Sequence, residues 1–144
     1  MDPDPLGRRL VFLGKQLKES FETMLAEHDC TLSTWAVLRS VARQEDPSQV
    51  VLAAQIGIEG PTLTRHLDRM CAEGLVARQR DAHDRRIIRI SLTEAGRRRW
   101  AELHTLADAH ETEITRLLTD RQMQHLDAAI RAITTALEDA HVHA

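Results

Sequence analysis

The chain has 144 residues, 42% of them apolar and 28% charged, with a formal net charge of −3. That composition fits one globular domain with an appended dimerisation element, and no run nears the ~20 apolar residues needed to span a bilayer. The opening MDPDPLGRRL lacks the pattern of a signal peptide, and Cys30 and Cys71 lack metal-site spacing, so reduced thiols in the cytoplasm are expected.

Leu6, Leu10, Leu13, Leu17, Phe21 and Met24 recur at three- and four-residue steps and predict a first helix over 5–27 with one apolar stripe. Asp29-Cys30-Thr31 breaks it. Ser33 is placed to cap a second helix over 33–44, with Trp35, Leu38 and Val41 or Ala42 inward. Glu45-Asp46-Pro47 predicts a loop. Ser48 caps a third helix over 48–56, which ends at Gly57, a residue suited to a left-handed C-terminal position. Pro61 suits the first turn of a fourth helix, and Gly74 closes it.

Residues 75–80 and 86–92 alternate in part, through Val76 and then Ile88, Ile90 and Leu92, and the charged stretch 81–85 predicts a hairpin tip. Thr93 and Glu94 open a long helix to about 118, with Trp100, Leu103, Ala107, His110 or Glu111, Ile114 and Leu117 inward. Asp120 is placed to cap a last helix carrying Met123, Leu126, Ile130, Ile133 and Leu137, and HVHA reads as a frayed tail. The expected fold is mainly α with a small β-hairpin wing. A winged helix-turn-helix over 32–99 is flanked by dimerisation helices over 5–28 and 100–141. A core of ~50 residues cannot bury the terminal stripes, which need each other or a second subunit.

Charge is unevenly placed. Residues 61–99 hold ten arginines against five carboxylates, a local +5, which leaves −8 for the rest of the chain. Screening makes phosphate attraction local, so the basic block matters more than the sum. Arginine identity alone says little, because Lys15 and Lys18 are the only lysines. Position carries the weight.

On the fourth helix Leu63, Leu67 and Met70 should face the third helix, leaving Thr62, Arg65, His66 and Arg69 on the opposite face. The N-terminal end of a recognition helix enters the major groove first, so Thr62 and Arg65 are the expected base readers. A bidentate arginine–guanine contact discriminates by ~1–3 kcal/mol. Thr64 and Arg69 are candidates for phosphates or bases. At the wing, Arg85 and Arg86 suit a narrow, electronegative minor groove. Asp84 cannot favour DNA by its own charge, and its expected task is to hold one arginine, Arg86, in a fixed pose.

These residues resemble the MarR family. Asp84-x-Arg86, Leu92-Thr93 and Gly96 are similar to its wing signature, and LAAQIGIEGPTLTRHLDRMCAEGLV to its helix-turn-helix. The pattern GIEGPTLTRHLD with RQ, DRR and SLTE is most similar to the SlyA-type branch. The resemblance implies homodimers that bind inverted repeats in double-stranded DNA near promoters and usually repress, although SlyA-like members also activate by displacing a nucleoid silencing protein. It implies that Arg65 reads bases, that Arg85 or Arg86 enters the minor groove, and that Asp84 braces the wing. It also implies release by a small phenolic or aromatic anion. The implied pocket is formed by Leu13, Leu17, Trp35 and Leu38, with Arg65 or Arg78 near a carboxylate.

Two other function classes compete. A winged helix that binds protein leaves the wing arginines and the Thr62–Arg65–Arg69 face unexplained. A redox- or metal-responsive regulator would use Cys30 or Cys71. The only metal set to consider is Cys30, His104 and His110, and six residues put the two histidines on different helix faces, so no metal and no cofactor are expected. An enzyme is not expected either: there is no phosphate-cradling glycine loop, HExxH pair or nucleophile elbow.

Overall fold

A computed structural model describes residues 4–142. Residues 1–3 of the opening segment and 143–144 of the HVHA tail lie outside the described residues. The element order is α1 (Leu6–Glu27), α2 (Leu32–Ala42), α3 (Gln49–Ile56), α4 (Gly60–Ala72), β1 (Val76–Arg80), β2 (Ile88–Leu92), α5 (Glu94–Thr115) and α6 (Asp120–Val142). This is the mainly α fold with one two-stranded hairpin that the periodicities predict.

The chain divides into two compact units, residues 1–108 and 109–144. In the first, α2, α3, α4 and the hairpin close over one core. Leu38, Leu52, Leu63, Leu67, Met70, Ile90 and Leu103 are all 0% exposed and Val76 of β1 is 3% exposed, so every element from α2 to α5 contributes to a continuous apolar centre. Helix α1 reaches that core only at its C-terminal end, through Leu25, with Phe21 and Met24 packed alongside. Its earlier stripe of Leu6, Leu10, Leu13 and Leu17 is exposed. The second unit carries α6, whose Leu126, Ile130, Ile133 and Leu137 are likewise exposed.

The caps show where local chemistry sets the helix ends. Thr31, two residues before the expected Ser33, caps α2: its Oγ1 accepts the Thr34 amide at 3.2 Å. Thr34, Val37, Leu38 and Val41 share the face turned to the core, and Ala42 is exposed. Ser48 caps α3 by accepting the Val51 amide, and Gly57 ends it at φ 77°. Asp120 is the first residue of α6 and does not cap it. Thr119 and Gln122 form a reciprocal capping box, in which Thr119 Oγ1 accepts the Gln122 amide and Gln122 Oε1 accepts the Thr119 amide. Helix α5 stops at Thr115, short of the expected 118, and Leu118 N–H bonds to the Thr115 carbonyl in the turn.

The hairpin pairs Val76 with Leu92 and Arg80 with Ile88. This register turns Val76 and Ile90 to the core and aims the 81–87 connection at solvent. A short bridge between Ser48 and Arg89, with Ile90 N–H bonded to the Pro47 carbonyl, pins β2 to the α2–α3 loop. At the other end of the hairpin, Thr93 Oγ1 donates to the Gly74 or Leu75 carbonyl and accepts the Gly96 amide. One residue thus ties the start of α5 to the turn after α4. No helix among the described residues is long and apolar enough to cross a membrane.

Candidate nucleic-acid interface

Helix α4 is amphipathic, and its buried side is settled by Leu63, Leu67 and Met70. Arg65 stands on the opposite side, exposed to solvent, while Thr62 is half-buried beside it. The other polar groups of α4 are engaged within the protein. Thr64 Oγ1 accepts from Gln49 Nε2 at 2.7 Å and lies 3.0 Å from the Gly60 carbonyl, so it ties α4 to α3. Arg69 donates to Thr34 Oγ1 at 3.1 Å and faces Glu73, bracing α4 against the start of α2. Half-burial, then the charges of Arg69 and Arg65, push the His66 imidazole below its ordinary value.

Arg78 sits at the middle of β1. It donates to Asp68 at 2.5 Å and to the Thr64 carbonyl at 3.1 Å, which locks the hairpin against α4. Its Nε is buried without a hydrogen-bond partner among the described residues.

At the wing tip two aspartates fold the connection around themselves. Asp84 accepts the Arg86 amide and Nε at 3.0 Å on one oxygen, and Arg86 Nη2 at 2.9 Å on the other. These bonds hold the Asp84 carboxyl below its ordinary value. Asp81, which sequence reasoning passed over, accepts the His83 and Asp84 amides on one oxygen and Arg89 Nε at 2.8 Å on the other. The Arg89 bond and the two amides bring its carboxyl down to about 2. The signal for Asp81 was available: an aspartate at the first loop position commonly captures amides two and three residues on. Its ion pair with Arg89 was not, because that depends on strand register.

The result is a sorting of cations. Of the arginines on α4 and the hairpin, five are committed: Arg69, Arg78, Arg86 and Arg89 to the partners above, and Arg80 to the Arg85 carbonyl. Arg65 and Arg85 are exposed, and neither guanidinium has a hydrogen-bond or ion-pair partner among the described residues. One stands on the outer face of α4 and the other at the wing tip. An open groove of about 710 Å³ lies among α3, α4 and the wing, lined by Val50, Thr64, Arg86 and Ile88 among others.

The residues expected around an effector do not converge on one cavity. Leu13 and Leu17 are exposed on α1, Leu38 is core, and Arg78 is occupied by Asp68. Trp35 is the distinctive member. Phe21 packs edge-on against it at 4.8 Å and Trp100 lies at 6.3 Å, yet its buried indole Nε1 has no hydrogen-bond partner among the described residues. Cys30 is buried and burial raises its thiol pKa, while Cys71 is half-buried on α4. Among the described residues no three His, Cys, Asp or Glu side chains are grouped to hold a metal ion.

Comparison with known proteins agrees with this geometry. A model of the MarR family matches residues 28–87. The transcriptional repressor CouR, bound to a 23-mer DNA duplex, superposes with a TM-score of 0.82 at 28% identity, over 91% of this chain and 93% of its own. A cysteine-to-serine variant of MarR from E. coli, complexed with operator DNA, gives 0.80 at 25% identity, over 90% and 94%. Wild-type apo MarR from E. coli gives 0.79 at 25%, over 92% and 98%. The chain is thus similar to MarR-family regulators in its winged-helix core, residues 28–87, and shares the fold of these solved structures over most of its length.

Proposed function

We propose that this protein is a homodimeric, cytoplasmic, sequence-specific repressor that reads a near-palindromic operator and lies near the SlyA-type branch. The observation that carries the reading is the pair of uncommitted arginines. Arg65 has the reach to bond guanine edges in the major groove, and Arg85 projects from a braced tip toward the adjacent minor groove. The committed arginines still add positive potential, but their geometry is set by the protein. DNA-bound CouR and the operator-bound MarR variant support the same use of the fold. Thr62 is the second base reader, Thr64 and Arg69 position the helix, and Asp84 holds Arg86.

The exposed apolar stripes of α1 and α6 support a dimer. Contiguous apolar faces of this kind belong at interfaces, and a two-fold axis would set two copies of α4 about one DNA turn apart. For release, the Trp35 N–H, without a partner among the described residues, supports an aromatic acid whose carboxylate or phenolate accepts that bond. Such a ligand inhibits only by binding better to a state whose recognition helices are wrongly spaced.

The test is Arg65→Ala, measured by anisotropy on a duplex that the wild-type protein selects from a random pool. The variant should lose about 1–3 kcal/mol of affinity and tolerate base changes at one position of each half-site. Unchanged affinity and unchanged preference would remove Arg65 from base reading.

A further inference from the structure

We propose that Asp81, acting through Arg89, is the residue that positions Arg85 for the DNA minor groove; the inference rests on the DNA-binding reading above. The wing tip is a seven-residue connection, 81–87, whose ends are joined by Asp81 N–H to the Ile87 carbonyl at 2.9 Å. Left to itself, a loop of this length with two aspartates and two arginines would sample many poses, and fixing each residue costs about 1–2 kcal/mol of conformational entropy. Three clamps oppose that. Asp81 takes the His83 and Asp84 amides, Ile87 N–H closes on the Asp84 carbonyl at 3.0 Å, and Arg80 Nη1 holds the Arg85 carbonyl at 2.9 Å. Arg85 is therefore fixed at its backbone and free at its guanidinium.

The clamps alone would define the shape of the tip but not its aim. Aim comes from Arg89. Its Nε binds the second oxygen of Asp81 at 2.8 Å, its Nη1 reaches the Asp46 carbonyl at 3.4 Å, and its backbone bridges to Ser48 beside the cap of α3. The tip is thereby anchored to the loop that starts the helix-turn-helix. Among the described residues Asp84, by contrast, binds only its own turn, and its partner Arg86 is 90% exposed. Asp81 is the better protected carboxylate, with 14% of its side chain exposed, and it is the one linked beyond the wing. A carboxylate with both oxygens committed and charge-assisted is a rigid fixture. Preorganisation of this kind lowers the ordering cost of binding.

The experiment is a double-mutant cycle of Asp81→Asn with Arg85→Ala, read by anisotropy on the wild-type-selected duplex across a salt series. Asp81→Asn keeps the size of the side chain and removes its charge. It should weaken binding about tenfold and lower the salt slope by about one, as loss of one cation contact does, while leaving the base preference intact. In the Arg85→Ala background it should cost less than about twofold, because the residue it positions is gone. Arg89→Gln should show the same coupling, which guards against a defect peculiar to one variant, and circular dichroism reports whether each variant is folded. Additive losses, or a changed base preference, would overturn the positioning role while leaving DNA recognition intact. If the wild-type protein selects no sequence and shows no salt-dependent binding, the DNA-binding reading falls and this inference falls with it.

Discussion

Gly96→Ala should unfold or severely destabilise the winged core, by about 3 kcal/mol or more, which for a chain of this size lowers the Tm by roughly 10 °C. Gly96 is buried in the first turn of α5. A Cβ built there lies 1.9 Å from the Leu75 carbonyl oxygen and 3.0 Å from its carbon. The obstacle is backbone, and that backbone cannot retreat. The Leu75 carbonyl accepts the Thr93 amide, and Thr93 Oγ1 lies within reach of both the Gly74 and Leu75 carbonyls. Gly74 itself holds φ 73°, a conformation that excludes most alternatives for the turn. The substitution must break the junction of α4, β1 and α5, the corner on which the hairpin is mounted. Thermal denaturation followed by circular dichroism checks it; a variant within 1 °C of wild type would contradict this account of the junction.

The second large effect is on assembly. A chain ending at Thr119, without α6, should be monomeric in sedimentation equilibrium and should keep the secondary structure of its first unit. Its affinity for a two-half-site duplex should fall about 100-fold or more, because the second half-site is no longer bound at high effective concentration. The argument rests on Leu126, Ile130, Ile133 and Leu137, which α6 presents to solvent and which the second unit does not cover. A dimeric truncation with full affinity would assign the interface to α1 alone.

How much of this was legible in the sequence follows from the range of each interaction. Helices α1 to α6 and the hairpin follow from periodicity, and Ser48 and Gly57 from local cap chemistry, because those signals are complete within a few residues. Helix starts were harder to read where several hydroxyls compete: Thr31, Ser33 and Thr34 are all capable caps, and the bond from the Thr34 amide to Thr31 Oγ1 selects Thr31. Asp120 and Thr119 pose the same choice, and Gln122 resolves it by returning a hydrogen bond. The basic block was visible as composition. Its division into free and committed arginines was not, because Arg69 is held by Thr34, Arg78 by Asp68 and Arg89 by Asp81 and Asp46, pairings that exist only after tertiary folding. Arg65 was readable as exposed from its place opposite Leu63 and Leu67. Trp35 was readable as inward-facing, but its unpartnered N–H depends on the packing of Phe21 and Trp100 around it.

The most direct test of the central claim is an anisotropy titration of the wild-type protein with its selected duplex and a scrambled duplex of equal length, from about 50 to 200 mM salt. Specific recognition by a basic helix and wing predicts a preference of at least about 1000-fold for the selected duplex at physiological salt, together with a steep loss of affinity as salt rises. Equal, salt-insensitive binding to the two duplexes, or none to either, would contradict the reading of α4 and the wing as a DNA-recognition surface.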